Sequence, residues 1–358
     1  AGSGGSWIIS FIVAGRLVEV RTFDGGVSWS TPMPLVTESS PLQPTVSGDS
    51  VILGTDFNNA FYAAYVRHPV GGGTPGVAFL RNSPLRAPAI CPTVAPTSSL
   101  VPGEVWGGRI RDMCTSPGAG KAVVAAWLEQ TGASSALRCM FSSDGGLTFV
   151  ALSSASAAAT ASHTGMLFEP SLVYAGDDTW LLALAVQSGG GRSVSLATIS
   201  RTGPGALRVG TLRPLGPANA SVVDATPHLS WDGQSGVLAV WARTDAGGDS
   251  DIFYARSTDR GASFGPPSPL NRDHATDVAQ DARPRCLSAG HKSWICVWEA
   301  HGRLGSDADL FVSRLPHADG YLFCDQAFTS TVAHKVGTMP QALGGAAQLR
   351  LAADVSRA

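Results

Sequence analysis

Serine, aspartate and arginine, residue types that serve as nucleophiles, acids and anion binders in hydrolases, stand close together in STDRGASF at residues 257–264. Similar stretches occur twice before it, as TFDGGVSW at 22–29 and SSDGGLTF at 142–149. A second candidate is the pair Arg283 and Arg285 on either side of Pro284, because guanidinium groups bind anionic ligands such as carboxylates in a two-point geometry. The elements that position these residues decide between a chemical and a structural role.

The repeated stretch has the chemistry of a tight turn. Its aspartate can accept hydrogen bonds from backbone N–H groups of the same turn, and its glycine allows a positive φ. We therefore expect a hairpin cap that satisfies its own polar groups rather than a catalytic centre. The defining residues are Thr22, Asp24, Gly26, Ser28 and Trp29 in the first copy, Ser142, Asp144, Gly146, Thr148 and Phe149 in the second, and Ser257, Asp259, Gly261, Ser263 and Phe264 in the third.

A period of 57 residues organises much of the chain. Pro170, Pro227 and Pro284 open similar lines at intervals of 57, and Pro340 opens another one 56 residues further on. Each period holds a short strand pattern, a strongly apolar strand pattern, a third run such as DIFYARS and a weaker fourth. Four antiparallel strands in a repeat of this size are typical of a propeller blade, so the predicted fold class is an all-β propeller.

The repeat also predicts how one domain, residues 1–358, is divided into blades. Blades start near residues 44, 113, 170, 227 and 284, and a terminal blade is shared between 1–36 and 340–358. Joining the N- and C-terminal strands in one sheet closes the ring and removes exposed edges. We expect six blades, with seven as the alternative. The Pro- and Ser-rich stretch 85–104 is interpreted as an insertion that contacts a partner.

The three turn copies match the pattern S/T-x-D-x-G-x-S/T-F/W, which is similar to the Asp-box, or BNR repeat, of sialidases and sialidase-like propellers. Together with the repeat, the resemblance covers nearly the whole chain. It implies that the turns are structural and lie on the rim, away from the face that carries the active site. The motif therefore predicts the fold and says little about activity.

The catalytic pattern of sialidases is not matched. The resemblance implies three arginines that clamp the substrate carboxylate, a nucleophilic Tyr activated by a Glu, and an Asp as acid and base. The family's Arg-Ile-Pro marker does not occur before Asp24, and Arg109-Ile110-Arg111 lies in another blade and lacks the proline. Glu129 and Glu299 follow strand-ending Trp residues and are interpreted as repeat positions.

Composition excludes several functions. The net charge of −2, without runs of Lys or Arg, provides no basic surface for a nucleic acid. The longest apolar run, WIISFIVAG from Trp7, is about half the length that crosses a bilayer, so no direct membrane insertion is expected.

No cofactor and no metal site is predicted. Asp249 and Asp251, and also Asp307 and Asp309, form equivalent pairs in two repeats, and carboxylates are ligands for Ca²⁺. Their spacing is not that of a known calcium loop, so turn hydrogen bonds are preferred and Ca²⁺ is the alternative. The eight His show no paired metal-ligand spacing.

Two features favour an extracellular or cell-surface protein. Cys286 and Cys296 flank a predicted hairpin and can lie opposite each other, which predicts a disulfide, with two buried thiols as the alternative. Asn219 opens the sequon Asn219-Ala220-Ser221 and is a candidate for N-glycosylation.

These observations predict a non-catalytic sialidase-like propeller that recognises a glycan or protein ligand, as a module or scaffold in a larger extracellular or surface assembly. The alternative function is an exo-α-sialidase or related glycoside hydrolase. Hydrolysis of a sialoside separates the two.

Overall fold

The chain is an all-β protein, and no α-helix occurs in the part of it that the structure describes. The structure, a computed structural model, describes residues 7–13, 16–22, 28, 30–34, 45–55, 61–68, 76–81, 97–100, 109–120, 122–131, 134–144, 150–151, 166–203, 206–216, 221–271, 274–276, 278–290, 293–302, 308–315 and 326–328. The chain divides into two compact units, the first with residues 1–131, 138–152 and 339–358, and the second with 132–137 and 153–338.

Three antiparallel sheets contain the described strands up to residue 151. The first is β1 (Trp7–Val13), β2 (Arg16–Thr22) and β3 (Met33–Pro34). The second is β4 (Thr45–Thr55), β5 (Phe61–His68), β6 (Gly76–Arg81) and β7 (Thr97–Leu100). The third is β8 (Arg109–Pro117), β9 (Val123–Thr131), β10 (Ser134–Ser142) and β11 (Val150–Ala151). In each sheet, strands that follow one another along the chain pair as neighbours.

The second unit repeats the same arrangement three times. We name each module after its first, inner strand. The β12 module contains β12 (Leu167–Gly176), β13 (Thr179–Ser188), β14 (Gly191–Gly203), β15 (Ala206–Val209) and β16 (Arg213–Pro214). The β17 module contains β17 (Val223–Trp231), β18 (Val237–Thr244), β19 (Ser250–Ser257) and β20 (Ser268–Pro269). The β21 module contains β21 (Gln280–Gly290), β22 (Ser293–His301), β23 (Ala308–Leu315) and β24 (Gln326–Phe328).

Single parallel bridges join consecutive modules, Arg192 with Val223 and Ser250 with Gln280. All pairing within a module is antiparallel. This order is that of propeller blades.

The core of the second unit lies between its modules. Strand β18 is buried on both faces, because alternate side chains point to opposite neighbours. Val237, Ala239 and Trp241 pack with Leu181 and other residues of the β12 module. The intervening residues Leu238, Val240 and Ala242 pack with apolar side chains of the β21 module, such as Trp294 and Trp298. Burial on both faces explains why this segment is apolar throughout rather than alternating.

The predicted blade starts at 113, 170, 227 and 284 fall within β8, β12, β17 and β21. Residue 44 and the segment 340–358 lie outside the described residues, so ring closure and the number of blades stay predictions. The first sheet contains no strand from the C-terminal segment among the described residues. Strand β7 lies inside the stretch 85–104 and is the fourth strand of its sheet, so part of the predicted insertion belongs to a module. A short extended segment needs only backbone pairing to take this place.

Candidate functional site

The inner strands of the second unit share a strained position near their starts. Glu169, Thr226 and Arg283 each precede a repeat proline, lie one period apart and have φ between 49° and 52°. The left-handed region is unfavourable for residues with a side chain, and residues before proline normally prefer extended backbone. Pairing with the next strand shifts register at this place in all three modules. Such strain tends to be kept where a site requires it.

Side chains of one module satisfy backbone groups of the next along this row. The Thr226 N–H donates to Glu169 Oε2 at 2.5 Å. Ser171 and His228, each two residues after a strained position, act in the same way: Ser171 Oγ accepts from the Leu229 N–H at 3.0 Å, and His228 Nδ1 accepts from the Cys286 N–H at 3.3 Å. The neighbouring inner strand thus supplies acceptors for three backbone N–H groups.

Arg283 is the centre of a charged group at the start of β21. Its Nη1 donates to Glu299 Oε2 at 2.9 Å, and His301 Nε2 lies 3.9 Å from the same oxygen. The Arg283 side chain is 39% exposed and that of Glu299 18% exposed. Strand pairing places the acid on β22 beside Ala282. We call Arg283, Glu299 and His301 the Arg283 cluster.

Glu299 is a functional candidate that the sequence reasoning passed over as a repeat position. One and two periods earlier, the same position holds Ala242 and Ala185, both buried. A charged residue in place of alanine departs from the repeat, and the structure gives it the guanidinium of Arg283 as a partner. The sequence signal for Glu299 is the change from alanine to glutamate at one repeat position, which appears when the repeats are aligned residue by residue.

Arg285 has a different environment from Arg283. Its Nη1 donates to the carbonyl oxygen of Pro284 at 2.8 Å. One and two periods earlier, the same position holds His228 and Ser171, which bind the next inner strand. Repeat position therefore indicates a structural role for Arg285. Binding of an anionic ligand by the two arginines stays a prediction.

A second ion pair, Arg243 with Asp224, is built differently. The guanidinium binds both carboxylate oxygens, with Nε–Oδ1 at 2.7 Å and Nη2–Oδ2 at 3.1 Å. The Asp224 side chain is only 4% exposed, and Arg243 lies over the ring of Phe253 at 4.6 Å. A closed, bidentate pair of this kind fixes strands and leaves little for a ligand. The Arg283 cluster is more open, and among the described residues Arg283 binds Glu299 through one nitrogen only.

The turn at 257–264 is closed by hydrogen bonds among its own residues. Ser257 Oγ donates to Asp259 Oδ1 at 2.7 Å and accepts from the Gly261 N–H at 2.7 Å. The Ser263 N–H donates to Asp259 Oδ1 at 2.9 Å, and the Ser263 hydroxyl donates to Oδ2. The bonds from Ser263 and then from Ser257 lower the pKa of Asp259 from 3.8 to about 2.

Arg260, which is not one of the defining residues of the turn, has a conformation and contacts of its own. It has φ of 58°, which explains why the other copies have glycine there, Gly25 and Gly145. Its guanidinium binds Asp177 of the β12 module. From that module Arg213 donates to the carbonyl oxygens of Gly261 and Ala262. The turn therefore joins two modules.

The turn and the Arg283 cluster occupy opposite ends of their modules. Strand register places Ser257 and Val237 at the end where β17 finishes, and Ser250 and Thr244 at the end where β17 starts. The cluster lies at the starting end of β21, which pairs through Gln280 with Ser250. The end that carries the turn is thus distinct from the end with the strained row.

The remaining turn residues are described in part. Ser142 Oγ donates to Asp144 Oδ1 at 2.7 Å, as Ser257 does to Asp259. Thr22 ends β2, and Ser28 is exposed. Phe264 packs against the core between the β12 and β17 modules. Outside the described residues lie Asp24, Gly26, Trp29, Gly146, Thr148 and Phe149.

A disulfide joins Cys286 to Cys296, which face each other on β21 and β22 in the buried core. Among the described cysteines, Cys114 and Cys139 are free and buried, and burial raises the pKa of Cys139 to about 12. The Cys139 thiol is therefore no nucleophile in the folded protein. Asn219 lies outside the described residues.

The aspartate pairs make hydrogen bonds where the structure describes them. Asp249 Oδ1 accepts from the Ser250 N–H at 3.0 Å, and Asp251 Oδ1 accepts from Asn271 Nδ2 at 2.7 Å. Asp307 and the side chain of Asp309 lie outside the description. Within the described part, no group of three or more His, Cys, Asp or Glu could hold a metal ion. No helix there is long and apolar enough to span a membrane.

No known family profile matches the sequence, and no curated protein matches it. Solved structures do. An ulvan lyase of polysaccharide lyase family PL25 matches with a TM-score of 0.55 and 11% identity, over 91% of this chain and 82% of the lyase. An α-L-arabinanase from Penicillium chrysogenum matches with a TM-score of 0.49 and 12% identity, over 79% and 86%. The Hadza microbial sialidase Hz136 matches with a TM-score of 0.48 and 12% identity, over 81% and 58%.

The likeness to the lyase shows a shared fold, and at 11% identity it shows nothing about activity. The structural neighbours are β-propeller proteins.

Proposed function

We propose that the chain is a β-propeller module that recognises glycans without cleaving them. In this proposal the modules form one ring, closed by the N- and C-terminal strands, with six blades. The three turns are Asp-boxes that fasten modules together. The module acts outside the cell or at its surface, as part of a larger assembly.

One observation carries the proposed location of the site, the Arg283 cluster. It is partly exposed, it includes an acid where the two preceding modules have alanine, and Arg283 belongs to the strained row at the inner-strand starts. Sugar hydroxyls bind well to such planar charged groups, which offer donors and acceptors side by side. The shared fold with a polysaccharide lyase supports a glycan as the ligand.

Support for a non-catalytic role comes from the sequence, which lacks the Arg-Ile-Pro segment before Asp24. The arginines Arg201, Arg243 and Arg260 are each held by an aspartate. A sialidase-type site, in which three arginines bind the substrate carboxylate, would therefore need other arginines of the chain.

The test is binding of the purified full chain to a glycan array, with titration of the glycans found. We expect Arg283→Ala to weaken binding at least tenfold. The matched control is Arg201→Ala, which breaks an ion pair with Asp178 (3.5 Å) at the other end of its module and should bind as the wild type does. No glycan binding, or equal binding by both variants, would overturn the proposal.

The alternative is tested in parallel with a fluorogenic sialoside. Turnover by the wild type that disappears in Arg283→Ala would establish a hydrolase and refute the non-catalytic role. No turnover combined with glycan binding supports the proposal.

A further inference from the structure

The Arg283 cluster presents a donor and an acceptor next to each other. Among the described residues, Arg283 uses one N–H to bind Glu299, whereas its guanidinium carries five N–H donors and is partly exposed. The Glu299 carboxylate has lone pairs beyond the one that Arg283 uses, and part of it is exposed.

We infer that this site binds a neutral sugar, in which two adjacent hydroxyls bridge the Arg283 guanidinium and the Glu299 carboxylate, rather than a sugar acid. The inference rests on the proposed function. A hydroxyl can donate to the carboxylate, and its neighbour can accept from the guanidinium, so both charged groups keep their bonds.

A sugar carboxylate fits the same place poorly. The positive charge of Arg283 is already balanced by Glu299, whose oxygen lies 2.9 Å from the guanidinium nitrogen. A second carboxylate on that guanidinium would stand close to Glu299, and like charges at such distances repel. His301 Nε2 lies 3.9 Å from the same Glu299 oxygen, so an anion that approached His301 would also approach this acid.

The repeat indicates that Glu299 serves a ligand rather than the packing. Ala185 and Ala242 occupy its position in the two preceding modules, and both are buried there. The module therefore forms without an acid at this position. By contrast, the buried Asp224–Arg243 pair is bidentate and shielded, as a structural pair should be.

The test compares titrations of wild type and Glu299→Gln with neutral arabino- and galacto-oligosaccharides and with sialyllactose and oligouronates. The change to glutamine removes the charge and keeps the size. We expect the wild type to prefer neutral sugars at least tenfold. In Glu299→Gln, affinity for neutral sugars should fall and affinity for the acids should rise, so that the preference narrows at least tenfold. Asp178→Asn, which removes the acid of the Arg201 pair, is the matched control and should change neither.

The outcomes separate the two proposals. If the wild type binds no glycan, neutral or acidic, the proposed function is refuted. A wild type that prefers sugar acids, or a preference that Glu299→Gln leaves unchanged, refutes the neutral-sugar inference while glycan recognition stands. If Glu299→Gln does not fold, Arg283→Lys keeps the charge but loses the planar fork and should weaken neutral-sugar binding. Undiminished binding by that variant refutes the inference.

Discussion

Asp259 binds both ends of its turn through one carboxylate. Oδ1 accepts from the Ser257 hydroxyl and the Ser263 N–H, and Oδ2 accepts from the Ser263 hydroxyl. All of these bonds favour the ionised form, which is why its pKa falls to about 2. The Ser and Asp side chains that resemble an active site thus bind one another within the turn.

The stability contributed by Asp259 should depend on pH. A lowered pKa stabilises the folded protein above the ordinary value of 3.8, and this contribution disappears as pH falls to about 2. We therefore expect Asp259→Asn to lower Tm at pH 6, with a difference from wild type that shrinks steadily from pH 4 to pH 2. The effect should be modest because the carboxylate is exposed. A difference that is constant over this range in thermal melts would contradict the assigned bonds.

Gly261 should tolerate no side chain. Its φ is 83°, and an added Cβ would lie 2.1 Å from Leu181 Cδ1 of the neighbouring module. We expect Gly261→Ala to destabilise the protein by about 2–5 kcal/mol, from left-handed strain and overpacking together. Denaturant unfolding measures this. In the control, Gly203→Ala, the added Cβ meets nothing within 4 Å at a φ outside the left-handed region, so its cost should be about 1 kcal/mol or less.

Middle strands have the same pattern in each module but different surroundings. Leu238 of β18 and Ile295 of β22 are one period apart. Leu238 is fully buried by the following module, whereas Ile295 is 44% exposed. The apolar residue type is the same, so burial at this position depends on what packs against the strand.

This difference predicts unequal costs for the same change. Leu238→Ala should lose about 2–5 kcal/mol of unfolding free energy, because it leaves a cavity between two modules. Ile295→Ala should lose about 1 kcal/mol, since part of its surface already meets water. Chemical denaturation of both variants provides the comparison, and equal losses would show that Ile295 is covered in solution.

The inner strands show how one element serves two purposes. Their prolines recur at 57-residue intervals, and the residue before each proline takes a left-handed conformation. The resulting register shift lets side chains of one inner strand bind the backbone of the next. The third of these residues, Arg283, donates to Glu299 within its own module.

At the scale of the whole molecule, the second unit is a row of three modules that are joined through their cores, their inner strands and the turn at 257–264. The likeness to the ulvan lyase extends over 91% of the chain, which indicates a common architecture for most of it. A shared fold at 11% identity does not identify the ligand, so the proposal of a ligand rests on the Arg283 cluster.

The Cys286–Cys296 disulfide ties the fold to its redox environment. The two residues are 10 apart, and closing a loop of this length is worth about 2–3 kcal/mol by chain entropy. We expect a reductant to lower Tm by about 3–4 °C, because the unfolding entropy of a chain of this length is large. The double variant Cys286→Ala, Cys296→Ala should melt at the lower temperature with and without reductant. A wild type that is insensitive to reductant after full reduction would count against a stabilising role and weaken the case for an extracellular location.

The sequence by itself determined the all-β class, the repeat, the inner-strand positions and the opposed pairing of the two cysteines. These features depend on residues that are close in sequence, because apolar alternation and turn residues determine the strands of one module, and the constant period repeats them. The turn chemistry of Ser257, Asp259 and Ser263 is local for the same reason.

Only the tertiary structure decided which modules' side chains meet. Asp177 and Arg260 are 83 residues apart, and Glu169 and Thr226 are 57 apart. Their contacts depend on the register of paired strands and on the shifts at the left-handed residues, neither of which has a residue pattern of its own. The pairing of Arg283 with Glu299 arises in the same way, because strand register sets the acid opposite Ala282, the residue before the arginine.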